Sequence, residues 1–303
     1  MNRIAASLLF FAVCATAQAQ TTVPEAGEPQ PEAAPAPEPA PATDPGYGER
    51  SRESGQINVK VDPDVYSILS SARGLSTHKS TYFYPLSYSE GFEGEKTEMV
   101  FQISAKWRVF GTNAYLAYSQ KSFWQWLNGG ESSPFRETNY DPEVFYRWIP
   151  DRKAFNHWGA DIGFEHESNG QPFPESRSWN RVYIAPFQAK GRHLAYLKFW
   201  YRLPEGEAST AGNQNGDDNP DLTDYMGYSE LNFSRQIGGD QLFSGMVRGN
   251  TQTGRGAVSV TWSMPSKEGW VFWGLSAFHG YGESLILYDQ EITRLMAGIL
   301  IAR

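Results

Sequence analysis

Three residues of this 303-residue chain carry side chains that together could do acyl chemistry: His166, Ser168 and Asn180. A serine hydroxyl is a poor nucleophile until a base takes its proton, and the base works best when a third group fixes its tautomer. His166 and Ser168 stand at i and i+2, a spacing that puts both on one face of a strand. A neighbouring strand can bring Asn180 to the second ring nitrogen. Asparagine can orient the ring but does not stabilise an imidazolium as a carboxylate would. The missing electrostatic help has to come from elsewhere, and a cation at the oxyanion is the obvious source. A His-x-Ser pair alone says little, because any polar surface strand supplies one.

The stretch that must position the trio, Ile162 to Arg181, reads as two strands and a loop. Ile162, Phe164, His166 and Ser168 project together, while Asp161, Gly163, Glu165 and Glu167 project the other way. Asn169, Gly170, Pro172 and Pro174 break the strand. On the second strand Asn180, Val182 and Ile184 share a face, opposite Arg181 and Tyr183. The trio therefore shares its face with apolar residues and the charges lie behind it. For a soluble protein that is inside out. For a barrel in lipid it is natural, since the apolar face is outside and the polar face lines the interior. A neutral orienter also avoids an uncompensated charge against lipid.

After Gly74 the chain divides into twelve alternating segments, at about 77–90, 95–109, 113–125, 137–149, 155–169, 177–188, 192–204, 222–237, 241–250, 255–264, 269–280 and 285–302. The expected fold is all-β: a twelve-stranded antiparallel transmembrane β-barrel occupying residues 74–303. Short connections such as Gly111-Thr112 and Gly238-Gly239-Asp240 alternate with long ones at 128–136, 169–177 and 204–222. Outer-membrane barrels have short periplasmic turns and long external loops, which puts His166 and Ser168 at the external end of their strand. A soluble β-sandwich would also give many short strands. Strands this long, polar on one face and aromatic on the other, suit a membrane better. Arg303 ends the chain where such barrels commonly end in an aromatic residue.

Residues 1–19 have the form of a secretory signal, with a basic Asn2-Arg3 start, an apolar run and Ala17-Gln18-Ala19 before the cleavage point. The run is too short to span a bilayer. Cys14, the only cysteine, lies inside it, so the mature chain has no disulfide or thiolate chemistry. Residues 20–73 form a Pro/Ala/Glu-rich linker and N-terminal extension whose composition does not build a core. The 16 Tyr, 18 Phe and 10 Trp go with a low mean hydropathy, as alternating barrel strands produce. A net charge of −8 argues against nucleic acid as a partner. His157, His193 and His279 have no clustered partners and the sequence shows no zinc spacing; His78 lies at the start of the first strand, and all four read as structural.

The strings YSQKSFWQ (118–125), ESSPFRETNY (131–140), HESNG with SRSWNR (166–181), DDNPD (217–221), YMGY (225–228) and GYGESLI (280–286) together closely resemble the outer-membrane phospholipase A family. That resemblance implies a twelve-stranded barrel in the bacterial outer membrane that hydrolyses phospholipid acyl esters of the outer leaflet, acts at A1, A2 and lysophospholipid positions, needs Ca2+ and works as a homodimer. Carried over, Ser168 is the nucleophile, His166 the general base and later acid, Asn180 the orienter, and the N–H of Gly170 a donor to the oxyanion. Calcium would be held by the Ser176 hydroxyl, the backbone carbonyl of Gln171 and Ser132 of the partner subunit, oxygen donors that suit a hard cation. Gln120 matches a polar residue in the lipid-facing dimer interface; without the resemblance, lining the interior is an equal reading.

Two positions depart from the family pattern. Gln171 stands where an arginine is familiar, which leaves a carbonyl ligand unaffected. Phe173 stands where some members carry an aspartate near the metal, although Asp217 and Asp218 can still contribute to a second, weaker site. The competing reading is a pore or passive barrel that keeps the trio without using it, its channel lined by Glu165, Glu167 and Arg181. Twelve strands leave little room once such side chains are placed.

Overall fold

The computed structural model describes residues 66–70, 74–91, 96–150, 157–214 and 216–303; the signal segment and the linker as far as residue 65 lie outside them. Thirteen strands form one sheet: β1 (Leu75–Thr77), β2 (Thr81–Glu90), β3 (Met99–Arg108), β4 (Ala114–Trp124), β5 (Phe135–Trp148), β6 (Trp158–Ser168), β7 (Ser178–Lys190), β8 (His193–Leu203), β9 (Ser229–Ile237), β10 (Gln241–Asn250), β11 (Arg255–Pro265), β12 (Phe272–Gly280) and β13 (Ile292–Ala302). Each of β3 to β12 pairs antiparallel with the next strand in the chain, and β13 pairs with β2 to close the barrel. Both β1 and β2 pair with β3, so they are two parts of one stave, interrupted where His78 and Lys79 turn inward. The result is a closed barrel of twelve antiparallel staves.

Alternation sorts the side chains by medium. On β6, Ile162 is 52 % exposed while Asp161 and Glu165 are buried, and Leu116, Val144, Ile184 and Leu275 belong to the same outward apolar surface. In water such a surface would be costly; in lipid each of these side chains is worth about 1.5–3 kcal/mol relative to exposure.

The interior is filled by ion pairs. Arg147 grips Asp161 with two bonds of 2.7 Å, and both side chains are about 1 % exposed. Glu165 is met by Lys198 at 2.6 Å, Arg181 at 3.0 Å and Lys79 at 3.2 Å. His78, at the break in the first stave, bonds Glu143 at 2.8 Å. Asp141, Glu143 and Glu165 lie close enough to suggest a metal, but Lys79, Lys198 and Arg181 already balance their charge.

Two segments enter the barrel from its ends. Near the termini, Ser67 donates its N–H to Arg303 O, and Lys106 and Arg147 donate to the carbonyl of Ile68. At the opposite mouth, residues 281–291 fold inward. Glu283 accepts from Arg294 at 2.5 Å, and Leu285 N–H donates to Asn139. This loop takes most of the span expected to begin the last strand, because Glu283, Ser284 and Leu285 are buried here rather than lying along the wall. The expected 222–237 strand likewise opens as a short helix, α1 (Leu222–Met226). Its two buried side chains, Leu222 and Met226, are spaced for one helical face.

Candidate active site

The trio sits at the loop-rich end of the barrel, opposite the C-terminus of the chain. Strand register does most of the assembly. Across β6 and β7, His166 pairs with Asn180 and Ser168 with Ser178. On the other flank of Ser168, Tyr140 of β5 is its register partner. Residues directly opposite on antiparallel strands have Cβ atoms roughly 5 Å apart, so an imidazole and an amide there meet without further design.

They do meet. His166 Nδ1–H donates to Asn180 Oδ1 at 2.9 Å. An amide oxygen only accepts, so this bond requires the proton on Nδ1 and leaves Nε2 with a free lone pair. The amide's orientation is held in turn from the far side. Asn180 Nδ2–H donates to Glu205 Oε1 at 2.6 Å, and Glu205 lies in the loop after β8. Desolvation raises the Glu205 carboxyl above its ordinary range, while the Asn180 bond lowers it. Ser168 and His166 share the outward face two residues apart and are half-buried. No hydrogen bond joins them directly among the described residues, as is common before substrate draws a site together.

The loop at 169–177 is stapled by Asn169, which the sequence marks only as a strand breaker. Asn169 is 2 % exposed. Its Oδ1 accepts from the N–H of Gln171 at 3.2 Å and of Arg177 at 3.0 Å, and its Nδ2 donates to Glu175 O at 2.8 Å. An asparagine bonding backbone two residues on is the ordinary way to start such a turn. Gly170 follows at φ +66°, and a Cβ there would lie 3.3 Å from the Tyr140 ring. A left-handed position this close to Ser168 favours glycine.

Around Ser176 the donors are all oxygen. Ser176 Oγ–H donates to Asp218 Oδ2 at 2.5 Å, and Ser209 Oγ–H donates to Asp218 Oδ1 at 2.7 Å. The carbonyl of Gln171 belongs to the same loop. Hydroxyl, carboxylate and carbonyl oxygens with no nitrogen or sulfur fit a hard cation. Asp217, offered by the sequence beside Asp218, is instead held by Arg202 at 2.6 Å. Ser132 is exposed on the β4–β5 loop, with φ +64°, and its hydroxyl makes no hydrogen bond among the described residues. Gln120 shares the outward face of β4 with Leu116 and Tyr118, accepting from Tyr118 Oη at 3.0 Å, so it does not line the interior.

A family model described as phospholipase A1 matches residues 50–301. The phospholipase A1 of Escherichia coli K12 is 38 % identical over 224 residues, covering 71 % of this chain and 73 % of that protein. The structure of a calcium-bound dimer of outer-membrane phospholipase from Salmonella typhi superposes with a TM-score of 0.66 at 33 % identity, covering 78 % of this chain and 96 % of that one. An Escherichia coli outer-membrane phospholipase A carrying an asparagine-to-alanine active-site mutation superposes at 0.67 with 31 % identity, over 78 % of this chain and 96 % of that one. With the twelve-stave barrel and this degree of likeness, the chain belongs to the phospholipase A1 family and is an outer-membrane phospholipase.

Proposed function

We propose that Ser168 is the nucleophile of a calcium-dependent homodimer that cleaves phospholipids at either acyl position, and lysophospholipids as well. The observation that carries this reading is the 2.9 Å bond from His166 Nδ1–H to Asn180 Oδ1, which leaves Nε2 free as a base on the face it shares with Ser168. His166 Nε2 takes the Ser168 proton as Oγ attacks the ester carbonyl carbon. The tetrahedral intermediate expels the alcohol, which leaves with that proton. Water, deprotonated by the same nitrogen, then releases the fatty acid and restores Ser168. The Gly170 N–H would donate to the oxyanion.

Ser176, the carbonyl of Gln171, Asp218 and Ser132 of the partner subunit would hold calcium, which supplies positive charge near the developing oxyanion. Gln120 and the outward face of β4 would form the dimer contact, where a buried amide favours self-association modestly. The Salmonella relative described as a calcium-bound dimer supports both points, and the Escherichia coli active-site asparagine mutant supports the role of Asn180. Against a pore stands the interior, filled by ion pairs and entered from both ends, leaving a cavity of about 420 Å³.

A sulfonyl fluoride incubated with the protein in mixed micelles is expected to form one adduct, mapped to Ser168 by mass spectrometry and dependent on calcium. An adduct on another residue, or one formed equally well in chelator, rejects the reading.

Ser132 gives a second test. Donors from one subunit alone leave much of a six- to eight-coordinate shell to water. If the partner subunit's Ser132 adds a fixed donor, calcium binding and dimerisation strengthen each other by the same factor. Ser132→Ala is therefore expected to weaken both calcium affinity by calorimetry and calcium-driven crosslinking in detergent. Undiminished calcium-driven dimerisation of this variant rules out a bridging ligand.

A further inference from the structure

Glu205 belongs to a connection that none of the catalytic strings includes, yet it contacts the trio. The register explains how. Asn180 pairs with Leu203 at the top of β8, and Glu205 is two residues further along, on the same side. Its carboxylate accepts the Asn180 amide proton at 2.6 Å. The other ionisable groups nearby are His166 of β6, Arg202 of β8 and Asp217 of the same loop, and Arg202 is committed to Asp217.

An amide has two ends of opposite character and can in principle be turned either way. Turned one way, Asn180 offers Oδ1 to His166 and demands the Nδ1–H tautomer. Turned the other way, it offers Nδ2–H, demands the proton on Nε2, and leaves no base facing Ser168. An ionised carboxylate only accepts, so it admits a single orientation of its amide neighbour. It also lies one side chain beyond the imidazole, where a negative charge favours the imidazolium that forms during attack.

We infer that Glu205 is a positioning residue of the hydrolytic site: it fixes the Asn180 amide, and through it the His166 tautomer, and supplies the negative charge an asparagine-based trio otherwise lacks. This rests on the triad reading above. A carboxylate–amide–imidazole–hydroxyl relay results, in which the neutral amide stands between the charge and the lipid-facing catalytic pair.

The test is a charge exchange between positions 180 and 205, read in micelles at mildly alkaline pH on barrels whose folding is checked by heat-modifiable gel migration. Glu205→Gln keeps the shape but can donate as well as accept, and is expected to lower kcat roughly tenfold with KM little changed. Glu205→Asp keeps the charge and should retain more activity. Asn180→Asp alone sets two carboxylates in contact and should also be slow. The double variant Asn180→Asp/Glu205→Gln restores one carboxylate with one amide and should exceed both single variants. A purely structural role for Glu205 gives no such rescue. If Glu205→Gln matches wild type, or if the double variant shows only the product of the two single losses, the inference is overturned. The sulfonyl fluoride adduct in wild type separates the two levels: without labelling of Ser168 the triad reading itself fails, whereas normal labelling with no rescue removes only the role of Glu205.

Discussion

Ser168→Ala is expected to abolish phospholipid hydrolysis while leaving the barrel intact. When the nucleophile of a triad is removed, the base and orienter have nothing to activate, and losses of roughly 10⁴-fold or more in kcat follow. Stability should change by less than about 1 kcal/mol, because the hydroxyl sits half-exposed on the outer wall and makes no hydrogen bond that the fold depends on. The measurement is turnover in mixed micelles with calcium, alongside gel migration before and after heating. Appreciable turnover by a correctly folded variant means that another residue attacks the ester.

The second large effect concerns the lumen. Arg147→Met is expected to destabilise the barrel by about 3–5 kcal/mol, since it strands a buried carboxylate. Asp161 is buried, and after the substitution it would keep, among the described residues, only the hydrogen bond from Tyr196 Oη, at 3.2 Å. The inward segment would also lose the bond from Arg147 to Ile68 O. Removing both charges in Arg147→Met/Asp161→Leu should recover most of the loss, because two apolar side chains leave nothing uncompensated. Urea unfolding in lipid vesicles reads both values. A double variant as unstable as the single would show that the packing around Arg147, rather than its charge, holds the wall.

What could be read in advance follows the range of the interactions. Alternation along 162–168 decides which medium each side chain meets, and it is local, so the outward face of Ile162, Phe164 and His166 was legible from spacing alone. The His166–Asn180 contact was nearly so, because the two residues flank one loop between adjacent strands, within two or three positions of its ends. Gln120 shows where pattern becomes ambiguous, since a polar residue within a strand suits a lipid-facing contact or the interior until its neighbours are known. Glu205, Ser209 and the backbone partners of Asn169 were not legible. They lie in polar loops, where spacing carries no period, and their partners come from turns that only the closed barrel brings together. By pattern, the 222–237 segment reads as strand throughout. Its first five residues bury two side chains a helical turn apart, a tertiary preference that a short apolar run does not announce.

The placement of the trio on the outer wall has a consequence for how substrate arrives. Four residues of tilted strand lift Ser168 roughly 10 Å above Phe164, whose ring lies in the apolar belt. A phospholipid beside the barrel can keep its chains among Ile162, Phe164 and Val182 while its ester comes level with the hydroxyl. The substrate then never leaves its leaflet. Encounter becomes a two-dimensional event, set by lateral diffusion and by the mole fraction of lipid at the surface rather than by its amount in the bulk.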